Sequence, residues 1–477
     1  MVHISASADR ITNICCIGAG YVGGPTCAVI AAKCPEIRIT VVDRDPARIS
    51  AWNSDTLPVY EPGLDALVKR QRNINLVFST DIDRAIDEAQ LIFIAVNTPP
   101  MHHHTHVSSL GAKPDLSAVS DCARRIARVS LTDKIVVAKS TVPCGACATI
   151  AQMLRDNAQS GVRFSVLSNP EFLSEGTAVR DLLHPDRILI GGDDMVAQDR
   201  LKAVYMHWVP EPNILTMNMW SSELAKLASN AMLAQRVSSI NSISAICEAV
   251  GANISEVAAG CGSDSRIGSK FLRPSLGFGG SCFHKDIASL IWLSESLGLP
   301  EVAEYWHQVL ALNRFQIRRF VARILADASR GDGSSGLQGR RVACLGFAFK
   351  EGTGDTRNTP AADVCCELLR NGATLSVYDP KVSRHHIVDR LAAAAGTDCS
   401  VDSVTVCADA YSAIAGSDIV VVLTAWSEFR VIDWEQALKL MAKPAYVFDG
   451  QIVLDHDRLR QLGFNVFSIG HTHVTAQ

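Results

Sequence analysis

The sequence has no excess of positive charge: 45 Lys and Arg stand against 49 Asp and Glu, and the net charge is -4 over 477 residues. Its cations are dispersed, which argues against nucleic acid or an anionic membrane as the main partner and favours small molecules. Uninterrupted apolar runs are also lacking. Ile11 to Ala32 carries no charged residue, but four glycines, a proline and several polar residues break it, and no basic segment precedes it. Neither a membrane span nor a secretory signal is expected. No repeat of solenoid length is present, and the terminal His473-Val474-Thr475-Ala476-Gln477 carries no retention, peroxisomal or lipidation signal. The 15 cysteines have no repeating spacing. Two adjacent pairs, Cys15-Cys16 and Cys365-Cys366, lie in apolar segments where neighbours bridge poorly, so a reducing, cytosolic compartment is expected.

Hydrophobic residues make up 48% and charged residues 20% of the chain, enough to bury a large core, and the length predicts about three domains. A buried strand is expected over Ile11–Ile17, then Gly18-Ala19-Gly20-Tyr21-Val22-Gly23, then a helix ending near Lys33. In this fingerprint the first glycine makes the turn, the second lets a pyrophosphate reach backbone, and the third lets the helix pack on the strand. A second strand, Ile37–Val42, ends at Asp43, twenty residues after Gly23. A carboxylate there accepts from the ribose hydroxyls and repels a 2′-phosphate, so NAD is expected over NADP. Arg44 and Arg48 are the nearby cations able to oppose that preference.

Further strands are expected at Leu91–Val96, Lys134–Ala138 and Phe164–Leu167. They end in Asn97-Thr98-Pro99, Lys139-Ser140-Thr141 and Ser168-Asn169-Pro170-Glu171, polar groups that a parallel sheet would place along one crevice. The tract His102-His103-His104-Thr105-His106 reads as a solvated loop. Its residues are too close together for one tetrahedral site, and no metal is expected.

Helical periodicity runs from Trp220 to about Val250 and puts Lys226 and Asn230 on one face. Gly277-Phe278-Gly279-Gly280-Ser281-Cys282-Phe283-His284-Lys285-Asp286 follows. Its three glycines are expected to let backbone approach a bound group, and Cys282 falls near a helix start, where the dipole and Lys285 favour a thiolate. Asp286 shares its face four residues on. Arg266 and Lys270 form a basic pair suited to phosphate or to another subunit, and Ser329–Gly339 is a linker by composition. A second parallel sheet is expected at Val342–Leu345, Thr374–Tyr378, Ile419–Leu423, Tyr446–Phe448 and Val466–Ile469. It has no glycine fingerprint, and its loop Phe349–Arg357 suits a diphosphate.

Six segments, Gly18–Gly24, Lys139–Pro143, Ser168–Ala178, Trp220–Asn230, Gly277–Asp286 and Phe349–Arg357, closely resemble the UDP-glucose 6-dehydrogenase family, over essentially the whole chain. The resemblance implies two Rossmann-like doubly wound α/β domains, an NAD domain (1–215) and a UDP-sugar domain (341–477). A central helical domain (216–328) and a linker (329–340) would join them. It implies oxidation of UDP-glucose to UDP-glucuronate with two NADH formed, and a homo-oligomer built from dimers, a hexamer in the family.

By the same resemblance Cys282 is the nucleophile, Lys226 and Asn230 stabilise an oxyanion, and Asp286 assists the thiol and water. Glu171 is a general acid/base and Thr141 a water ligand. The cofactor would meet Gly18, Gly20, Tyr21, Val22, Gly23, Asp43, Arg48, Val96, Asn97, Thr98, Ser140, Thr141, Glu175, Lys285 and Arg357. The substrate would meet Glu171, Phe172, Leu173, Glu175, Lys226, Asn230, Lys270, Phe271, Leu272, Phe278, Gly279, Phe283, Phe349 and Lys350. Arg266 would reach a neighbouring subunit's substrate. Those residue types suit a four-electron oxidation, because an aldehyde releases a second hydride only after a nucleophile has added to it. The chain departs from the family at Gln451, usually arginine, at Arg273, commonly lysine, and in the histidine loop. Oxidation of GDP-mannose or UDP-N-acetylmannosamine, or a catalytically silent nucleotide-sugar sensor, are the alternatives.

Overall fold

The computed structural model describes residues 10–99, 101, 111–328, 336–395 and 401–471. The histidine tract, the terminal five residues and most of the expected linker lie outside that set. Two compact units divide the chain: Met1–Ser229 with Ala288–Leu299, and Asn230–Ile287 with Pro300–Gln477. Two of the three boundaries fall inside helices, Met219–Val250 and Cys282–Ser296, and the third falls at the start of helix Pro300–Ala328.

The first unit is built on β1 (Asn13–Ile17), β2 (Arg38–Val42), β3 (Leu76–Ser79), β4 (Leu91–Ile94), β5 (Lys134–Ala138), β6 (Phe164–Ser168), β7 (Ile188–Gly191) and β8 (Ile214–Met217). Their spatial order is β3-β2-β1-β4-β5-β6-β7-β8. Pairing is parallel throughout except between β6 and β7, which meet antiparallel at Ser168 and Gly191. The central strands read as continuous apolar runs because both faces are covered. Ile14, Cys16, Phe93 and Val137 pack on one side with Trp52 and Leu64, while Cys15, Ile92 and Val136 pack on the other with Ile126 and Ile150. β1 starts two residues later than expected, and at its start the Thr12 and Asn13 N–H groups donate to Gln90 Oε1, 2.7 and 3.2 Å away. Strand order reverses between β1 and β4, which opens the crevice where such sheets bind ligands.

The second unit repeats that order. β9 (Arg341–Leu345), β10 (Thr374–Tyr378), β11 (Val404–Val406), β12 (Ile419–Val422), β13 (Tyr446–Asp449) and β14 (Asn465–Ser468) form an all-parallel sheet ordered β11-β10-β9-β12-β13-β14. Helix Pro300–Ala328 brings Ile317, Phe320, Val321 and Ile324 to its core. Leu337, inside the stretch expected to be linker, is fully buried in the same core. The expected two-sheet α/β architecture with long intervening helices is therefore what the chain forms. β3, β7, β8 and β11, none longer than four residues, were not expected from the sequence.

Candidate functional site

In the first unit the glycine fingerprint separates into two positions the protein itself requires and one it does not. Gly18 turns at φ +111°, and a Cβ there would lie 2.5 Å from the Ala95 carbonyl oxygen. A Cβ at Gly23 would lie 2.0 Å from the Gly18 oxygen, so the helix Gly23–Lys33 sits directly on the turn. Gly20 has nothing within 4 Å of its Cβ direction. No packing explains a glycine there, whereas a close-approaching pyrophosphate does. Val22, at the N-cap, makes no side-chain capping bond and the first turn holds no acid. That leaves helix N–H groups to face an anion beside Tyr21.

Asp43 is nine-tenths buried and anchors the crevice. Its Oδ2 accepts from the Ala19 N–H at 2.9 Å and from Arg48 Nη1 at 3.0 Å, and its Oδ1 accepts from the Asp45 N–H at 3.0 Å. Burial pushes the carboxyl up, but the Asp45 and Ala19 N–H groups and the Arg48 guanidinium outweigh it and hold the group below its usual value. Arg48 is thus tied to the carboxylate that repels a 2′-phosphate. These residues fit a nicotinamide dinucleotide with an unphosphorylated ribose. The ends of β4 and β5 are knitted together alongside: Ser140 Oγ donates to the Val96 oxygen at 2.6 Å, and Thr98 Oγ1 donates to the Thr141 oxygen at 2.7 Å. Asn97 between them is exposed.

Past β6 lies a buried charged cluster. Lys226 Nζ is 3.6 Å from Glu171 Oε1, with the two side chains 4% and 7% exposed. Glu171 Oε2 accepts the Leu173 N–H at 2.6 Å. The Phe172 ring takes the Lys226 ammonium at 5.0 Å and the Arg187 guanidinium at 3.9 Å. A charge pair this deep requires good geometry on both partners.

Behind it is a network that sequence reasoning did not assign. Lys139 Nζ donates to Asn169 Oδ1 at 3.0 Å and to Tyr205 Oη at 3.2 Å, and Tyr205 donates to the same Asn169 oxygen at 2.6 Å. Burial brings the Lys139 ammonium down to about 8; Glu171 pulls it up and Lys226 pushes it down. The signal was a lysine placed directly after the apolar run Ile135–Ala138. Glu61 was also missed. Buried, it accepts the Gly176 and Ala178 N–H groups at 2.6 and 2.9 Å and so braces the turn that carries Glu175. Nothing local in the sequence marks it.

In the second unit Cys282 is the half-buried first residue of helix Cys282–Ser296, with Ser281 Oγ 3.6 Å from its Sγ. One turn later Asp286 is 1% exposed. Its Oδ2 accepts from Asn230 Nδ2 at 2.6 Å, and Lys285 Nζ lies 3.8 Å from its Oδ1. Asn230 in turn is one turn beyond Lys226 on helix Met219–Val250.

The glycines before Cys282 have another cause than the one expected. They face this chain's own residues, not open space. A Cβ at Gly277 would lie 2.4 Å from Asn313 Oδ1, one at Gly279 2.5 Å from the Asn358 oxygen, and one at Gly280 3.0 Å from the Phe349 ring. Asn313, which sequence reasoning missed, clamps Phe278 by accepting its N–H at 2.9 Å and donating to its oxygen at 3.0 Å. The Gly280 N–H donates to the Arg357 oxygen at 2.8 Å, so the cysteine turn is seated on the loop Phe349–Arg357.

Around it Phe283 lies edge-on to Phe278 at 5.7 Å and tilted to Phe271 at 6.5 Å. Phe271 is held at φ +63°, which costs a bulky residue on the order of 1–3 kcal/mol. Leu272 packs against a small core around Ile254. Lys350 Nζ lies 5.6 Å from the Phe349 ring centroid.

Arg357 pairs with Asp355 at 2.7 Å and exposed Arg266 with Asp264 at 2.6 Å. The backbone oxygen of Lys270, also exposed, accepts from Arg236. At the unusual position, Gln451 Nε2 donates to the Leu423 oxygen at 2.7 Å, and Arg273 Nη2 reaches the Gln451 and Ile452 oxygens at 3.2 Å each.

Comparison with known proteins finds three consecutive domains of one family. The UDP-glucose/GDP-mannose dehydrogenase NAD binding domain matches residues 12–209, the central domain 220–315 and the UDP binding domain 343–456. The chain is 53% identical over 465 residues to a UDP-glucose 6-dehydrogenase of Drosophila melanogaster, covering 96% of each chain. It is 50% identical to UDP-glucose 6-dehydrogenase 3 of Arabidopsis thaliana, covering 96% of this chain and 97% of that one. Among solved structures, a UDP-glucose dehydrogenase from the archaeon Pyrobaculum islandicum is similar, with a TM-score of 0.83 at 31% identity. That match covers 98% of this chain and 100% of the other.

Proposed function

The chain belongs to the UDP-glucose/GDP-mannose dehydrogenase family, and from that premise we propose that it oxidises the C6 alcohol of UDP-glucose to the carboxylate of UDP-glucuronate. NAD, when bound, accepts one hydride in each of two oxidations. Gly18, Gly20 and the N–H groups from Tyr21 to Gly23 would cradle its pyrophosphate, and Asp43 would take the ribose hydroxyls. Val96, Asn97, Thr98 and Ser140, at the ends of β4 and β5, would supply further cofactor contacts, and by family resemblance Glu175, Lys285 and Arg357 are candidates for the rest.

In the first oxidation the C6 hydroxyl proton goes to a base, for which Glu171 acting through water held by Thr141 is suited, as the hydride leaves. The Cys282 thiolate then adds to the aldehyde carbon to give a thiohemiacetal. Loss of the second hydride leaves a thioester, and water activated by Asp286 cleaves the C–S bond to return the thiolate and release the acid. The Lys226 ammonium and the Asn230 amide steady the negative oxygen through both stages. By family resemblance Leu173, Lys270, Phe271, Leu272, Phe278, Gly279, Phe283, Phe349 and Lys350 would supply the further substrate contacts.

The observation that carries this reading is the pairing of chemistries on consecutive helical turns. A buried lysine held against a carboxylate precedes an amide that holds a second buried carboxylate, and that carboxylate lies one turn after a half-buried cysteine. A nucleotide-sugar sensor has no use for that set. The test is stoichiometry: two NADH per UDP-glucose consumed, with UDP-glucuronate as product, whereas one NADH or a preference for another nucleotide sugar overturns it.

Arg266, whose side chain is 88% exposed, is suited to reach a second copy's substrate, so the working form is a homo-oligomer built from dimers. Sedimentation of a fully active monomer would refute that. A reducing, cytosolic setting keeps Cys282 a thiol.

A further inference from the structure

On the first unit, away from the nucleotide crevice, three side chains of different chemistry converge. The Cys34 thiol, a Glu36 carboxylate oxygen and a His207 ring nitrogen lie within 4.8 Å of one another. Cys34 closes helix Gly23–Lys33, and His207 follows helix Met195–Tyr205. The Cys34 sulfur is fully buried and donates to the Val204 oxygen at 3.6 Å, forming the floor. His207 and Glu36, with side chains 33% and 46% exposed, form a rim open to solvent.

The His207 ring is oriented by backbone. Its Nδ1 lies 3.0 Å from both the Ala203 and the Val204 carbonyl oxygens. Carbonyls only accept, so Nδ1 carries the proton and the neutral ring keeps its lone pair on Nε2. That lone pair points at Glu36 Oε1, 2.8 Å away. Two lone pairs at that distance repel unless one cation binds both. A second ring proton would serve; a metal ion would serve as well and would also take the adjoining sulfur, whose proton otherwise goes to the Val204 oxygen. A backbone-anchored imidazole, a carboxylate and a sulfur at one point form the donor set of a zinc ion, the far nitrogen being fixed by a carbonyl as in metal-ligating histidines.

We propose that Cys34, Glu36 and His207 form a zinc site, with the sulfur, Glu36 oxygen and Nε2 as three ligands and water as the fourth. Burial and the Glu36 carboxylate hold the Cys34 thiol up to about 12, so it is protonated at neutral pH. Zinc binding displaces that proton to solvent and leaves a Zn–S bond, with no change of oxidation state. The ion would pin together the ends of two helices, one of which begins at the nucleotide turn.

The test uses the full chain, stripped with a chelator, desalted and titrated with zinc chloride. Wild type is expected to retain one more equivalent of zinc per chain than His207→Gln or Glu36→Gln, and its Tm to rise by several degrees on zinc addition where theirs does not. Cobalt in place of zinc is expected to give near-ultraviolet thiolate absorption that weakens in Cys34→Ala. Zinc held at Cys282 would be common to wild type and the rim variants and cancels from that difference. If Cys34→Ala fails to fold, the two rim variants decide the matter, because their side chains are half exposed. Equal zinc retention by wild type and His207→Gln, or a cobalt complex without thiolate absorption, overturns the proposal.

Discussion

Asn230 Nδ2 donates to Asp286 Oδ2 at 2.6 Å, so the carboxylate one turn past Cys282 is held by an amide one turn past Lys226. In the proposed mechanism the amide would thus act partly through that carboxylate. Asn230→Ala is expected to lower kcat by about a hundredfold. In an Asp286→Asn background the same change should cost much less, because the partner it orients is already altered. Steady-state kinetics of the two single variants and the double variant check this, and full additivity would show that the contact does not matter to turnover.

Cys282→Ser keeps a hydroxyl but loses the readily formed thiolate. It is expected to stall before releasing UDP-glucuronate, with at most about one NADH per site in a single burst. Asp286→Asn should instead accumulate a substrate-sized adduct, visible by mass spectrometry of quenched reactions and absent from Cys282→Ala. Rapid multiple turnovers by Cys282→Ala would end the covalent mechanism.

Arg48 is tied to Asp43 at 3.0 Å. Asp43→Ala is expected to weaken NAD binding about tenfold and, by freeing the guanidinium, to improve use of NADP. Asp43→Ala with Arg48→Ala should lose NAD binding without that gain. The ratios of kcat/KM for the two cofactors decide it; a wild type that uses both equally would remove the role given to Asp43.

Lys139 carries a pH signature. Its folded pKa is about 8 against an ordinary 10.5, with burial as the main cause. Below pH 8 it is charged in both folded and unfolded chains, and burying that charge costs on the order of a few kcal/mol. From pH 8 to 10.5 the unfolded chain binds more protons, so the cost is relieved as pH rises. Wild type should therefore gain stability relative to Lys139→Met across that window, measured by urea unfolding at pH 7, 8.5 and 9.5. Curves that keep a constant separation would mean that Lys139 titrates normally.

Spacing along the chain determined the parallel βα rhythm, the nucleotide fingerprint and the place of Cys282 at a helix start, because each depends on residues within a few positions of one another. The doubly covered strands around Cys16 and Phe93 could be read as unbroken apolar runs for the same reason. β7 and β8 were not legible: four-residue runs such as Ile188–Gly191 and Ile214–Met217 look alike in a strand or a helix, and the antiparallel contact of Ser168 with Gly191 is made only in the sheet. The glycines at 277, 279 and 280 could be seen, but their cause could not, since Asn313, Asn358 and Phe349 lie 36 to 79 positions away. Lys139, Asn169 and Tyr205 form one buried network across 66 positions. Only folding removes the water that would otherwise satisfy those polar groups separately, and that desolvation brings the lysine toward neutral pH and makes each partner necessary.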